Sequence, residues 1–214
     1  MRYLFLLIIV IGLASCKKNK GITQKIEGSV TNRFSGKGIN AVTVTLKARL
    51  IENGIYTSGF TVLGSTQTDA NGNYSFSFDR TNAGLYVLSA SHPDYYDQND
   101  TINADQVNYN NPLRYNVKIP AKSAVQIHIV NVEPVDSTEL FTYGYNGSDL
   151  PCDCCTKDHV VFVGPADTTF GCAVYGDRMF NYSYTIQADG KPIKQVKDSV
   201  FCPNGQTTQV NISY

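Results

Sequence analysis

The chain has 214 residues, 42% of them hydrophobic and 17% charged, with 18 basic against 18 acidic side chains. That is enough apolar material for one or two packed cores, too little charge for a disordered chain, and no net field to recruit nucleic acid. Fourteen Tyr and ten Phe against two Met and no Trp is the residue usage of strands, which excludes a helical bundle, a coiled coil and a polytopic membrane protein.

Arg2 gives a short basic start, and Tyr3 to Gly12 is an apolar run of secretory length, shorter than the roughly 20 residues a bilayer span needs. The run ends in Leu13-Ala14-Ser15-Cys16. These four residues resemble the lipobox of bacterial lipoproteins. The resemblance implies removal of residues 1–15, a diacylglyceryl thioether on the Cys16 sulfur and an acylated Cys16 amine, with membrane lipid as the partner. Residues 16–23, with Lys17, Lys18 and Lys20, read as a solvated tether. No aspartate follows the cysteine and no acidic run follows it, so the resemblance implies the outer membrane, with the leaflet open.

From residue 24 the dominant period is two. Ile26, Gly28 and Val30 alternate with polar neighbours; so do Val42, Val44, Leu46, Ala48 and Leu50, and again Tyr74, Phe76 and Phe78. Leu85 to Leu88 is apolar on both faces and reads as a central strand. Turn signals stand between these runs at residues 35–38, 71–72, 82–84 and 92–94. Asn99 to Asn111 reads as an exposed loop before a closing strand, Leu113 to Ile119. The order of Ile26-x-Gly28-x-Val30, Gly36 and Gly38, Ala41-Val42-x-Val44-x-Leu46, Thr68-Asp69-x-x-Gly72-x-Tyr74-x-Phe76 and the Tyr-rich run 86–95 resembles the carboxypeptidase regulatory-like domain. That resemblance implies a transthyretin-like β-sandwich over residues 24–120.

Pro120 to Ser123 marks a boundary. Beyond it, Val125, Ile127 and Ile129 start a new alternating strand, Phe180 to Ile186 forms another, and Val210, Ile212 and Tyr214 a third, with turns at residues 176–177, 189–190 and 204–205. The expectation is an all-β chain of two antiparallel β-sandwich domains in tandem, residues 24–120 and 121–214. No repeat of the first half aligns with the second. The pairing of the two resembles lipoproteins of the Bacteroidetes type.

The spacings of catalysis are missing. No His-Glu-x-x-His or His-x-x-Glu pair offers zinc peptidase chemistry, and no Gly-x-Ser-x-Gly elbow occurs. Gly36 to Ala41 fits a loose dinucleotide fingerprint, but a strand follows where a helix must hold the pyrophosphate. Asp69 to Asn73 clusters oxygens, yet the twelfth position of a calcium loop is Arg80, and a tight hairpin through Asn71-Gly72 explains the residues. The sequence therefore implies a non-enzyme without cofactor.

With Cys16 lipidated, Cys152, Cys154, Cys155, Cys172 and Cys202 remain. In an oxidising envelope the default is structural disulfides, and an odd number leaves one thiol without an internal partner. A thiolate metal site and a Cys-x-x-Cys redox pair at Cys152 and Cys155 are the other chemistries these residues allow, and no metal ligand set is assigned. Tyr95, Tyr96, Tyr109 and Tyr115 border an Asn/Asp-rich stretch, the composition of a glycan-contact surface. Short Asp-Ser/Thr triplets at residues 100–102, 136–138, 167–169 and 198–200 resemble O-glycosylation signals of Bacteroidetes envelope proteins. The function expected is a lipid-anchored, non-enzymatic binding or scaffolding module with an envelope protein or glycan as partner. A carbohydrate-binding lipoprotein is the alternative, and a cysteine-based metal or redox protein the third reading.

Overall fold

In the first half, period-two patterning becomes strands β1 (Thr23–Asn32), β2 (Thr43–Glu52), β3 (Ile55–Tyr56), β4 (Thr61–Gln67), β5 (Asn73–Asp79), β6 (Ala83–Ser91), β7 (Gln98–Asn103), β8 (Leu113–Arg114) and β9 (Val117–Ile119). The structure, a computed structural model, describes residues 22–107, 110–132, 137–145 and 160–214. One sheet runs β5-β1-β8, with β9 continuing β8 alongside β1; the other runs β3-β2-β6-β7, with β4 also on β2. Every second residue points inward, so Ile26, Val30, Val44, Leu46, Leu88 and Ile119 are fully buried between the sheets. β6 lies between β2 and β7, the interior place its two-sided apolar sequence anticipates.

The second half holds β10 (Lys122–Val130), β11 (Leu140–Tyr145), β12 (Val160–Val163), β13 (Asp167–Tyr175), β14 (Arg178–Gln187), β15 (Lys194–Cys202) and β16 (Thr207–Ser213). Its sheets run β13-β10-β16 and β12-β11-β14-β15 around a separate core that includes Val125, Ile127, Ile129, Phe141 and Ile212. The chain is all-β, built of sandwiches. Pairing is antiparallel except beside the first strand of each half: β1 runs parallel to β8 and β9, and β10 parallel to β16.

The wiring of the halves is the same. In each, the first strand is central, antiparallel to the strand that crosses over from the second sheet, and parallel to the last. In each, the other sheet has the order third, second, fifth, sixth, once the short β3 is set aside as an insertion in the β2–β4 connection. The fold thus repeats although the sequence does not. A sandwich needs inward apolar positions and turns at the right intervals, and many residue sets meet that need.

Three local expectations are corrected. The Asn71-Gly72 turn is not a hairpin: β4 pairs with β2 and β5 with β1, so it carries the chain from one sheet to the other. Asp69 holds it, its Oδ1 accepting from the Asn71 and Asn73 amides at 2.9 and 2.8 Å, while Gly72 takes φ 82°. Residues 99–103 are not loop but most of β7, an edge strand that buries Ile102 and needs no apolar outer face. The closing strand is split at Tyr115-Asn116, where the Tyr115 carbonyl crosses so close to Gly28 that a Cβ there would overlap its oxygen.

Candidate functional site

Only Pro120 and Ala121 lie between β9 and β10, and Ala121 is fully buried. So short a connection brings the end of the first sandwich against the turns of the second. Asn32, at the end of β1 and 2% exposed, donates from Nδ2 to Asp177 Oδ2 at 2.8 Å. Its Oδ1 accepts from the amides of Phe34 and Ser35 at 2.9 and 3.2 Å. Asp177 sits in the β13–β14 turn at φ 57°, a conformation Asp tolerates, and its amide donates to the Cys202 carbonyl at 2.7 Å. Asp177 Oδ1 accepts from the Asn204 amide at 3.2 Å, and Asn204 Nδ2 donates to the Tyr95 hydroxyl at 3.0 Å.

Aromatic rings close the joint around this network. Tyr175 meets Phe34 at 5.6 Å and Tyr96 edge-on at 5.5 Å, and the Arg178 guanidinium lies 4.8 Å above the Phe34 ring. Lys122 reaches back, its amide to the Asp94 carbonyl at 2.9 Å and its Nζ to the Pro93 carbonyl at 2.8 Å. Burial pushes the Tyr95 and Tyr96 hydroxyls above their ordinary pKa. These contacts fix one sandwich on the other. Sequence reasoning identified residues 176–177 and 204–205 as turns, but no local signal says that they meet Asn32 and Tyr95.

The second sandwich holds a cavity of about 300 Å³. Its lining includes Tyr143, Tyr145, Phe162, Phe170, Cys172 and Phe180. Tyr143 meets Phe170 edge-on at 5.6 Å, and Tyr145 stacks on Phe180 at 6.3 Å. The Tyr143 hydroxyl is buried and has no hydrogen-bond partner among the described residues, and burial drives its pKa upward. Such a lining suits an apolar group.

Cys172 is disulfide-bonded, and Cys202 is a free, fully buried thiol, so these two do not pair with each other. Burial pushes the Cys202 thiol up, which disfavours the reactive thiolate. Cys16, Cys152, Cys154 and Cys155 lie outside the described residues. Among the described residues no group of three His, Cys, Asp or Glu side chains could hold a metal ion. His128 Nε2 and Asp167 Oδ1 form a 2.8 Å pair on an exposed face.

The candidate glycan tyrosines are not gathered into one platform among the described residues. Tyr95 and Tyr96 belong to the joint between sandwiches. Tyr115 packs on the first core, its carbonyl accepting from the Tyr74 hydroxyl at 2.8 Å, and Tyr109 lies outside the described residues.

No protein-family model and no curated protein matches this chain. Among solved structures it is similar to the Bacillus anthracis TIE protein, at 12% identity and a TM-score of 0.37, over 89% of this chain and 34% of that one. This chain therefore spans about a third of that protein's length. It is similar also to the shaft pilin SpaA of Lactobacillus rhamnosus GG, at 12% identity and a TM-score of 0.34, over 89% and 97% of the two chains. A streptococcal ancillary pilin gives 16% identity and a TM-score of 0.33, over 91% and 63%.

Proposed function

We propose that the chain is a lipid-anchored, non-enzymatic component of the bacterial outer membrane, a binding or scaffolding module. The observation that carries this reading is the joint: Asn32, Asp177, Asn204 and Tyr95 form a hydrogen-bonded network whose geometry serves to hold one sandwich on the other. These groups are bonded to each other, and Asn204 Oδ1 is buried with no hydrogen-bond partner among the described residues. Leu13-Ala14-Ser15-Cys16 supplies the anchor, and the second sandwich, at the far end of the chain from Cys16, presents its aromatic cavity to a partner.

Cys16→Ala tests the anchor. Lipid labelling should vanish, and an uncleaved precursor or a soluble product should accumulate; unchanged mass and fractionation would remove the reading. Purified protein should give no turnover in a broad hydrolase screen, and an activity abolished by one point mutation would overturn the non-enzymatic part. The carbohydrate alternative loses two of its four tyrosines to the joint, and glycan-array binding that survives joint variants would restore it.

A further inference from the structure

The first sandwich extends an arm beyond its core. β2 runs past Ala48, turns at Asn53-Gly54, where both residues take positive φ (51° and 80°), and returns through β3 and β4. Along the arm Ile55, Tyr56, Phe60 and Val62 are 73%, 57%, 50% and 59% exposed. Scattered exposed apolar residues are ordinary, but four large ones within eight residues of one arm, on both its faces, favour leaving water. The arm is held firmly: the Thr57 amide donates to the Leu50 carbonyl at 2.9 Å, Arg49 Nε donates to the Thr57 carbonyl at 3.0 Å, and the Tyr56 ring lies against Gly84.

The chain enters the sandwich at the same end. The carbonyl of Ile22, itself 56% exposed, accepts from the Arg80 amide at 2.8 Å. Two residues on, Asn82 binds Ile51 in both directions, its carbonyl accepting from the Ile51 amide at 2.8 Å and its Nδ2 donating to the Ile51 carbonyl at 3.1 Å. Turn 80–82 thus ties the point of entry to the root of the arm. Ile22 is six residues beyond Cys16, and six residues reach about 20 Å when fully extended. A lipid on Cys16 therefore keeps this end of the sandwich next to the membrane.

We propose that the arm, residues 49–62, docks on the bilayer that holds Cys16. Ile55, Tyr56 and Phe60 enter the boundary between headgroups and acyl chains, where an aromatic ring with a polar edge is favoured. Lys17, Lys18 and Lys20 in the tether complement anionic headgroups. Tethering makes the contact intramolecular in effect, so a weak insertion suffices to keep the arm engaged. The inference rests on the lipid anchor proposed above, and its test separates the two.

The chain has no tryptophan, so one introduced indole reports only its own surroundings. Full-length protein is made in lipidating cells, its acylation checked by intact mass, and reconstituted into phosphatidylethanolamine–phosphatidylglycerol vesicles with or without brominated phosphatidylcholine. Phe60→Trp and Val62→Trp should emit further to the blue than Phe201→Trp, an exposed site in the second sandwich, and only the first two should lose intensity to bromine. Adding Ile55→Ser to Phe60→Trp should weaken the quenching and leave the acylated mass unchanged. Acylated protein whose Phe60→Trp and Val62→Trp indoles are unquenched overturns the docking and leaves the anchor standing. A mass without acyl chains removes the anchor and the docking together. A blue shift seen in native membranes but not in protein-free vesicles means that the arm meets a protein, and overturns the proposal as well.

Discussion

Asn32 and Asp177, 145 positions apart, are joined by a 2.8 Å hydrogen bond that links the last residue of the first strand to a turn of the other sandwich. Asn32 is 2% exposed, and its remaining oxygen is taken by the amides of its own turn. Its side chain therefore serves two structures at once: the turn that ends β1 and the seat of the second sandwich.

Asn32→Ala should strip Asp177 Oδ2 of its donor and two amides of their acceptor, lowering stability by about 1–3 kcal/mol. Calorimetry is expected to show a single cooperative transition for the native chain and two separated ones for the variant. A variant that still unfolds in one transition would place the coupling elsewhere in the joint.

Gly28→Ala should be among the costliest single-methyl additions in the chain. The new Cβ would overlap the Tyr115 carbonyl, which is backbone and held by the pairing of β8 and β9 on either side. A loss of more than about 3 kcal/mol in urea unfolding is expected. Gly171→Ala is the control, its Cβ meeting the Val125 carbonyl oxygen at 3.2 Å and asking only a small shift.

Tyr143→Phe should leave stability unchanged or raise it by about 1 kcal/mol, because it deletes a buried hydroxyl that has no partner among the described residues. Urea unfolding of the two proteins decides it. Clear destabilisation would mean that the hydroxyl is bonded after all.

Reductant should lower the melting temperature of the native chain, and in Asn32→Ala, where the two transitions separate, it should move only that of the second sandwich, since residues 24–120 contain no cysteine. The disulfide at Cys172 contributes about 2–4 kcal/mol by restricting the unfolded chain. Cys202, fully buried, should resist thiol reagents in the native protein and react after denaturation. A metal released in stoichiometric amount by chelator would bring back the thiolate-site reading.

Acid should loosen the turn at Asp69. Hydrogen bonds from the Asn73 and Asn71 amides hold its carboxyl below the usual aspartate range, although desolvation works the other way. A group depressed in the folded state contributes stability above its unfolded pKa, and that contribution is lost as pH falls through the folded one. The native protein should therefore weaken below about pH 4, and Asp69→Asn should flatten that part of the profile. Urea midpoints measured across the acid range test this, and superimposable profiles would count against it.

What the sequence makes legible is what one strand shows by itself. Ile26 and Val30, or Val125, Ile127 and Ile129, announce a half-buried strand because each apolar residue is two positions from the next. β7 escapes that reading because an edge strand has one inward residue to place, Ile102, and neighbours as polar as a loop. Asn71-Gly72 announces a turn correctly but not its destination, since a hairpin and a step between sheets use the same positive φ. The joint is illegible for another reason: Asp177 and Asn204 read as turn residues, Tyr95 reads as a glycan contact and Asn32 carries no signal of its own, and only their meeting gives them this role. The doubled wiring leaves no mark because pairing order is a relation between strands, not a property of any one of them.

The position of the first strand in each sandwich also sets a schedule. β1 lies between β5 and a last strand more than eighty residues downstream, so in a chain emerging from its N-terminus β5 can cover one edge of β1, while the other stays open until Leu113 to Ile119 arrive. Pairings at such separation close slowly. Because β10 begins three residues after β9 ends, the completing strand of one sandwich is followed almost at once by the founding strand of the next. The Asp177 turn that locks them comes later still. Each sandwich is therefore sealed by its own final strand, and the joint of Asn32 with Asp177 can close only once most of the chain has been delivered.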